Sequence, residues 1–454
     1  MLTRTFDDTI AAISTPPGQS GIGIVRLSGP GALAIADAVF RPAGDAPRPS
    51  EQGSFNTRYG HIVDAEERVD EVLLTVMSAP RTYTTQDIVE INCHGGIVPL
   101  RRVLELVLRM GARLADPGEF TRRAYHFGRI DLAQAEAVAD IITARTDASH
   151  RAALHHLSGA LSSAIRGLRD RLVDIAAYLE ASIDFGDDDI EFLDRPELRQ
   201  RIVGLQSDMR DLLSTAEAGR ALREGLKVAI IGRPNVGKSS LMNALLREDR
   251  VIVTPQPGTT RDVIEETVNM QGFPVTLADT AGMRESGDAI ERAGVDRARS
   301  WMERADLVLL VLDGSEPLRD EDEALLDGLA ERQALVVANK ADLPQATQLA
   351  DARSVSALTG EGLGALESAI VATTWSGEAR LQADIIVTNV RHKQAIEKAA
   401  DALANCLGAE AEGAYDEILA EDLRVALSAL GEITGDTAPE DIIDHIFDTF
   451  CIGK

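Results

Sequence analysis

A phosphate-binding pattern lies near the middle of the chain. Residues 232–239 read GRPNVGKS, between the apolar run 227–231 and the helix-like segment 240–246. In a strand–loop–helix context, the N–H groups of the loop and of the helix N-terminus can hold phosphates. Lys238 would reach the β- and γ-phosphates, and the Ser239 hydroxyl would ligate Mg²⁺. The sequence therefore predicts a nucleoside triphosphate site. The contacts predicted in this loop are Asn235, Val236, Gly237, Lys238, Ser239 and Ser240.

A second motif indicates which base is bound. Residues 339–342 read NKAD and follow the strand-like segment 335–338. The Asp342 carboxylate accepts hydrogen bonds only, so it suits the N1–H and the exocyclic amine of guanine, a donor pair that adenine lacks. Asn339 and Lys340 complete this motif, while Ser356 and Ala357 would close the base pocket with a backbone N–H. GTP is favoured over ATP.

Two further loops would contact Mg²⁺ and the γ-phosphate. Asp279 begins DTAG after the strand-like segment 273–278, and would hold Mg²⁺ through water. The segment 254–262 reads TPQPGTTRD, in which a threonine hydroxyl can complete the Mg²⁺ shell. Such loops become ordered when the γ-phosphate is present. The contacts predicted here are Thr259, Thr260, Asp279, Thr280, Ala281 and Gly282.

The residue after DTAG departs from the usual hydrolytic machinery. Ras-like GTPases that orient water with glutamine place it there, but this chain has Met283, which cannot take that role. Either hydrolysis is slow or another group acts, and Glu291 is a candidate, although a lone glutamate in a polar loop is usually a solvated charge. The transition-state charge could be met by an arginine, such as Arg261 or Arg284, or by a monovalent cation near the Asn235 side-chain oxygen.

Composition bounds the class of protein. The 454 residues are enough for about three domains of roughly 150 residues each. An apolar content of 44% and a charged content of 26% are typical of globular proteins. No apolar run is long enough to span a membrane, and the N-terminus lacks the apolar core of a signal peptide. The three cysteines, Cys93, Cys406 and Cys451, form no CxxC pair, which favours a reducing cytoplasm without disulfides or structural zinc.

The net charge is strongly negative. The chain has 46 basic and 73 acidic residues, giving −27 at pH 7. This field repels phosphate backbones, so autonomous, non-specific nucleic-acid binding is disfavoured. A local basic patch or a partner subunit could still bring RNA to the protein.

Hydrophobic patterning divides the chain into four segments. Residues 1–125 alternate β-like runs at 22–27, 69–77 and 87–93 with a helix over 98–110, which predicts an α/β domain. Apolar residues then recur three and four apart, which predicts a helical bundle face. They are Leu154, Leu157, Leu161, Ile165, Leu168, Leu172, Ile175, Leu179 and Ile183. The acidic stretch 187–191 interrupts this pattern and reads as a solvated loop, before another helix begins at Pro196.

Helical periodicity returns after the nucleotide-binding segment. From residue 390 to the end, apolar residues again follow a helical period, but this stretch alone is short for a bundle. We therefore predict that a Ras-like P-loop GTPase domain is inserted into one helical domain. The fold class is α/β plus all-α, with an N-terminal α/β domain at 1–125, helical parts at 126–222 and 377–454, and the GTPase domain at 223–376.

Several sequence blocks outside the GTPase motifs identify a family. They are TPPG at 15–18, GIGIVR at 21–26, EINCHGG at 90–96, PGEF at 117–120, DLAQAE at 131–136 and FCIGK at 450–454. Together with the GTPase motifs, they resemble the tRNA uridine-5-carboxymethylaminomethyl modification GTPases, the MnmE/TrmE family, over essentially the whole chain.

The resemblance implies a function. Such proteins have a folate-binding N-terminal domain through which they form homodimers, a split helical domain, and a G domain that dimerises with GTP and K⁺. With an FAD-containing partner, in a heterotetramer, they install an aminomethyl-type group at C5 of the wobble uridine of tRNA in the cytoplasm. The cofactors implied are GTP, Mg²⁺, K⁺ and a tetrahydrofolate derivative in the 5,10-methylene or 5-formyl form, and tRNA is expected to bind mainly through the partner.

The resemblance also assigns residues. Glu291 matches the catalytic glutamate, Ser239 and Thr260 match Mg²⁺ ligands, and the matches to K⁺ ligands are Asn235, Thr254, Gln256 and Thr259. Thr254 also belongs to the predicted GTP contacts. The positions around the folate are Arg26, Glu90, Arg129 and Lys454, where Arg129 stands in place of an expected lysine. Cys451 is a candidate nucleophile if its pKa is depressed, or else a structural residue.

A different class of function competes with this one. A regulatory GTPase could act on ribosome assembly without folate chemistry. That reading predicts an appended basic RNA-binding domain, and this acidic chain shows none.

Overall fold

The structure of the protein is a computed structural model. It describes residues 6–184, 194–249, 265–279, 301, 303–329, 332–346, 351–374 and 385–454. Residue contacts divide the chain into two compact units. The first comprises residues 1–139 together with 431–454, and the second comprises residues 140–430. The predicted acidic loop at 187–191 lies outside the described residues.

The strands and helices follow one another in a mixed order. The strands are β1 Ile10–Ile13, β2 Ser20–Ser28, β3 Phe40–Pro42, β4 Asn56–Asp64, β5 Glu67–Met77, β6 Ile88–Gly95, β7 Arg113–Leu114, β8 Leu226–Ile231, β9 Glu265–Met270, β10 Phe273–Asp279, β11 Leu307–Asp313, β12 Ala334–Asn339 and β13 Arg353–Ser354. The helices are α1 Ala32–Val39, α2 Ile97–Arg109, α3 Glu119–His126, α4 Leu132–Thr143, α5 Asp147–Leu157, α6 Ala160–Asp184, α7 Arg195–Leu213, α8 Ala216–Glu224, α9 Lys238–Asp249, α10 Asp320–Asp327, α11 Leu363–Thr374, α12 Val390–Ala411, α13 Asp416–Thr434 and α14 Glu440–Asp448, with a short 3₁₀ turn at Pro49–Glu51.

The first unit is built on a sheet of seven strands in the order β3-β4-β5-β6-β2-β1-β7. Neighbouring strands run antiparallel except β1 and β7, which are parallel. Side chains alternate between faces along each strand, so Val25 and Leu27 of β2 enter the core beneath α1 and α2. Arg26 therefore points to the other face, where the strand register places it opposite Glu90 of β6. The predicted α/β segment is thus a mainly antiparallel sheet with α1 and α2 on one face, while Phe120 of α3 packs against Ile10 and Ala12 of β1 on the other.

The C-terminal residues complete this first unit. Ile446, Phe447 and Phe450, in and after α14, share a core with Ala124 and Leu132. The last residues then run beside the segment preceding α3. Ile452 forms a β-bridge with Pro117, and the N–H of Phe120 donates to the carbonyl oxygen of Lys454 at 3.1 Å. Sequence patterning did not indicate how the C-terminus reaches this domain.

A network of charged side chains is buried beside these elements. Arg123 and Glu119, one turn apart on α3, are both fully buried. The Arg123 guanidinium donates to Glu119 at 2.9 Å and to the Asp8 carboxylate at 2.6 Å, and Arg113 donates to Glu119 at 2.6 Å. Burial by itself would raise the pKa of Glu119, but hydrogen bonds from Arg113, from the Asp116 N–H and from Arg123 outweigh it, so this pKa lies below its ordinary value. The carboxylate thus holds two guanidinium groups together at the start of α3.

The second unit contains a six-stranded sheet in the order β13-β12-β11-β8-β10-β9. Its strand pairs are parallel except the β9–β10 hairpin. Strands β8 and β11 are almost entirely buried, because α9, α10 and α11 contribute apolar side chains to the cores on the two faces of the sheet. This is the Ras-like arrangement, in which the loops after the parallel strands meet at one edge.

In the second unit, helices that precede the sheet in sequence pack against helices that follow it. Gln206 of α7 donates from its side-chain amide to the Ala400 carbonyl oxygen of α12 at 3.2 Å, and Arg199 pairs with Glu410. No helix among the described residues has the length and apolar character needed to cross a membrane.

A turn divides the predicted bundle face. The series from Leu154 to Ile183 does not lie on one continuous helix, since α5 ends at Leu157 and α6 begins at Ala160. Gly159 lies between them with φ of +89°, a left-handed conformation that only glycine adopts at low cost. The turn shifts the helical phase, so Leu161 and Ile165 are buried while Leu154 is 42% exposed.

We predict that Glu119→Gln destabilises the first unit by about 3 kcal/mol at pH 7, because Arg113 and the buried Arg123 lose one of the two carboxylates that pair with both of them, Asp8 being the other. Since the pKa of Glu119 is lowered, its stabilisation is complete above the ordinary value of 4.5 and is lost as the pH falls through the folded-state pKa. Urea unfolding monitored by hydrogen exchange of the β1 amides, at pH 7 and at pH 3, measures the change in the free energy of unfolding and its dependence on pH.

The matched control is Glu67→Gln. Arg102 donates to Glu67 at 2.7 Å, but this pair is exposed, so little change is expected. Equal losses in the two variants at pH 7 would contradict a structural role for the buried network.

Candidate nucleotide site and N-terminal charged cleft

The loop between β8 and α9 has the backbone conformation of a phosphate cradle. Gly232, Asn235 and Gly237 have φ values of +147°, +66° and +96°. A Cβ on Gly237 would lie 2.2 Å from the Asn339 side-chain nitrogen, and one on Gly232 would lie 2.3 Å from the Val311 carbonyl oxygen. Both glycines are therefore required by close approach as well as by φ.

Lys238 and the N-terminus of α9 supply positive charge to this loop. Lys238 is the first residue of α9, so it stands at the positive end of the helix dipole. Its ammonium group donates to the carbonyl oxygens of Gly232 at 2.9 Å and Arg233 at 2.6 Å. Ser239 and Ser240 follow with exposed side chains, and Asn235 is exposed in the loop. The residues fit a bound triphosphate, with a hydroxyl and an amide oxygen accessible to cations.

The predicted base-binding motifs meet the phosphate loop directly. The Asn339 side chain donates to the Val236 carbonyl oxygen at 2.9 Å and accepts from the Ala357 N–H at 3.1 Å. Ser356 donates its hydroxyl to the Asp342 carboxylate at 2.5 Å. One asparagine thus joins three separate loops, and a serine orients the carboxylate that would receive the base.

Lys340 is held by a carboxylate that sequence reasoning missed. Its ammonium lies 2.5 Å from Asp313, the last residue of β11. Burial would raise the pKa of Asp313, but hydrogen bonds from Lys340 and Ser315 outweigh it and place the pKa below its ordinary value. The ionised Asp313 thus fixes the orientation of the Lys340 side chain beside the predicted base-binding loop. Its position at the end of a parallel strand was the available signal.

The remaining nucleotide and cation residues are outside the described structure. Asp279 ends β10, next to Ile230 in the register, but only its backbone is described. The others are Thr254, Gln256, Thr259, Thr260, Thr280, Ala281, Gly282 and Glu291, and they lie outside the described residues.

The first unit brings its four predicted folate positions to one region. Arg26 donates from Nε to Glu90 at 2.8 Å, and from Nη1 to the carbonyl oxygen of Gly453 at 3.3 Å. Both side chains of this pair are about one-fifth exposed. The neighbouring Lys454 is half-buried and held through its backbone. The pair is therefore shielded without being sealed from solvent.

Aromatic side chains lie between Arg129, the fourth predicted folate position, and the Arg26–Glu90 pair. The Arg129 guanidinium carbon lies 4.8 Å from the centre of the Tyr83 ring, and that of Arg26 lies 5.6 Å from the Phe120 ring. Burial raises the pKa of Tyr83, and the charges of Arg129 and Arg26 partly oppose the rise. We call the region around Arg26, Glu90, Arg129 and Lys454 the charged cleft. Sequence reasoning missed both aromatic rings as parts of it, since neither falls in a motif with recognisable chemistry.

Cys451 is exposed, whereas Cys93 and Cys406 are buried. Burial raises the pKa of both buried thiols to about 12, which makes them unreactive at neutral pH. The candidate nucleophile is thus the accessible cysteine of the three.

Comparisons with known proteins identify the family of the chain. The family described as "MnmE helical domain" matches residues 132–451, and "GTP-binding protein TrmE N-terminus" matches residues 9–129. The tRNA modification GTPase MnmE of Alkaliphilus metalliredigens is 47% identical over 463 residues, which cover 99% of this chain and 100% of that protein. The chain belongs to the MnmE family. The MnmE of Alkaliphilus oremlandii is 46% identical over 460 residues, with the same coverage.

Membership confirms the predicted family and the predicted enzyme class. This MnmE-family chain is a GTP hydrolase that acts in tRNA modification. The matched helical-domain model begins in α4 and ends after α14, so it includes the segments on both sides of the nucleotide-binding sheet.

We predict that Asp342→Asn weakens GTP binding by roughly a hundredfold, because two guanine donors lose a charged acceptor. The asparagine amide can instead donate to the C2 carbonyl oxygen of xanthine, so affinity for xanthosine triphosphate should rise. Fluorescence titration with labelled forms of both nucleotides measures the exchange. The control is Asp351→Asn, an exposed carboxylate of the same unit, which should leave both affinities unchanged. Parallel losses for both nucleotides would argue against base recognition by Asp342.

Proposed function

We propose that the chain couples GTP hydrolysis to folate-dependent modification of C5 of the wobble uridine in certain tRNAs. The product would carry an aminomethyl or carboxymethylaminomethyl group. The single observation that supports the folate step is the half-buried Arg26–Glu90 pair beside the C-terminal residues. GTP hydrolysis itself rests on family membership and does not depend on this proposal.

The charged cleft has the donors and acceptors that a reduced folate requires. The Glu90 carboxylate can accept from the amino group and a ring N–H of the pterin, and the hydrogen bond from Arg26 orients it. Arg129 and Lys454 can meet the carboxylates of the glutamate tail. The rings of Tyr83 and Phe120 add apolar surface next to the guanidinium groups. When bound, a 5,10-methylene or 5-formyl tetrahydrofolate would supply the one-carbon unit.

At the nucleotide site, we assign Mg²⁺ to Ser239 and Thr260, and K⁺ to Asn235, Thr254, Gln256 and Thr259. The described part of this assignment is consistent with cation binding, since Ser239 and Asn235 are exposed at the phosphate loop. Glu291 would orient the attacking water in place of the glutamine that Met283 replaces. K⁺ would supply the positive charge that an arginine finger provides elsewhere.

The proposed function also requires partners. We propose a homodimer formed through the first unit, and a heterotetramer with an FAD-containing protein that carries the redox chemistry. The tRNA would bind mainly through that partner, because the net charge of −27 opposes direct binding. We place this complex in the cytoplasm. We also propose that the GTPase domain is inserted into one helical domain, which the pairing of α7 with α12 supports.

Folate binding tests the proposal. The full chain is expected to bind 5-formyltetrahydrofolate in isothermal titration, and Glu90→Ala should weaken binding at least about tenfold, because a charged acceptor is lost. The control is Asn92→Ala, two residues along β6 on the same face, which should bind within about twofold of wild type. Absence of binding by the wild-type chain would overturn the folate function.

Cation dependence tests the hydrolytic assignment. GTP turnover is expected to fall more than roughly tenfold when Na⁺ replaces K⁺, because the smaller ion does not fit oxygen ligands spaced for K⁺ and the transition state then lacks a positive charge at that position. Asn235→Ala should remove the preference for K⁺, and Asn405→Ala, an exposed asparagine on α12, should retain it.

In the same assay, Glu291→Ala is expected to bind GTP but not hydrolyse it in either cation. Equal wild-type rates in K⁺ and Na⁺ would refute the cation assignment. Normal turnover by Glu291→Ala would remove this residue from the catalytic site.

A further inference from the structure

Arg233 follows the first glycine of the phosphate loop, at a position where the motif specifies no residue type. Its side chain is nevertheless buried, with 7% exposure. The guanidinium Nε donates to the Asp322 carboxylate at 2.7 Å, and Asp322 is itself 1% exposed. A buried guanidinium needs such a counter-charge, because desolvation is costly for an unpaired ion. A residue far along the chain is therefore attached to the phosphate loop.

Asp322 is held firmly enough to act as an anchor. It lies in the first turn of α10, where its second carboxylate oxygen accepts from the Arg319 N–H at 3.1 Å. Its own N–H donates to the Arg319 carbonyl oxygen at 2.8 Å. Leu325 and Leu326 of the same helix pack against the core that includes Ile231, the residue immediately before the loop. Asp322 therefore lies on a packed helix, and each of its carboxylate oxygens accepts a hydrogen bond, one from Arg233 and one from Arg319.

The backbone of Arg233 in turn positions the phosphate-binding lysine. The carbonyl oxygens of Gly232 and Arg233 accept from the Lys238 ammonium group at 2.9 and 2.6 Å. A shift of the Arg233 peptide would therefore move Lys238 and the adjoining loop N–H groups. The ion pair and these two carbonyl contacts form one chain of interactions from α10 to the lysine.

We propose that Asp322 is a positioning residue for nucleotide binding, which acts through Arg233 to hold the phosphate loop and Lys238 in place. Asp322 lies on α10, outside every GTPase motif. The inference concerns the GTPase activity that family membership establishes and is independent of the folate proposal.

The position of the pair determines which kinetic constant should change. The phosphate loop contacts GTP and GDP alike, so a misplaced loop weakens ground-state and transition-state binding together. Asp322→Asn keeps the shape of the side chain but loses the charge. GTP and GDP affinity should each fall about tenfold, as expected for one charge-assisted hydrogen bond. KM should rise by a similar factor, while kcat stays within about twofold.

The chain offers a matched control. Arg223 donates from Nε to Asp140 at 2.7 Å, which is the same atom pairing at the same distance. Asp140 is largely buried and lies in α4, outside the nucleotide-binding sheet. Asp140→Asn should lower the melting temperature, as Asp322→Asn does, without changing nucleotide affinity. Both variants are made in the full chain, with labelled GTP and GDP titrations, steady-state turnover and thermal melting measured side by side.

A second variant tests whether Asp322 acts through Arg233. Arg233→Lys retains the positive charge but removes the planar Nε–H group, so it should weaken nucleotide binding as Asp322→Asn does. If the two residues act as one unit, the double variant should bind no more weakly than the poorer single variant.

Unchanged affinity in Asp322→Asn, with a loss of melting temperature like that of Asp140→Asn, would overturn the proposal and leave a structural ion pair. Fully additive losses in the double variant would also overturn it. Should Asp322→Asn fail to fold, Arg233→Lys decides: normal nucleotide affinity there contradicts positioning, and a tenfold loss at normal kcat supports it.

Discussion

The nucleotide site depends on a close approach between the phosphate loop and the ends of two neighbouring strands. No side chain fits at Gly237 beside the Asn339 amide, or at Gly232 beside the Val311 carbonyl oxygen. These contacts bring the loop, β11 and β12 together within hydrogen-bonding reach. Asn339 can therefore join the loop to the base-binding segment at Ala357. A bulkier residue at either glycine would separate the parts that must act on one nucleotide.

Arginine–carboxylate pairs perform different tasks in the two units. In the first unit, Arg26 and Glu90 form a half-buried pair that remains accessible to a ligand. In the second unit, Arg233 and Asp322 are almost completely buried, and the pair carries position from α10 to the phosphate loop. The two pairs have the same chemistry but differ in burial. The Arg26–Glu90 pair is partly exposed and can contact a ligand, whereas the Arg233–Asp322 pair is buried and can only position the loop. The partner of an arginine and the burial of the pair are therefore more informative than the arginine itself.

The C-terminal segment packs into the core of the first unit. Its apolar residues share the core of α3 and α4, and the Gly453 carbonyl oxygen reaches Arg26. A Cβ on Gly453 would lie 2.5 Å from the Ile13 carbonyl oxygen, so the chain can pass here only with glycine. The C-terminal residues thus lie beside Ile13 and Arg26, and a substitution in either segment can affect the charged cleft.

The sequence by itself determined the family, the GTPase class, and the strand and helix pattern around the phosphate loop, and it predicted which motifs contact the base and the phosphates. These follow from local rules, because periodicity and motif spacing depend on residues close together in the chain. Only the tertiary structure decided that Arg233 meets Asp322, that Lys340 meets Asp313, and that Tyr83 and Phe120 lie on the cleft arginines. It also showed that the turn at Gly159 leaves Leu154 exposed. Those outcomes depend on which elements pack side by side, and contacts between distant residues leave no period or spacing in a single sequence.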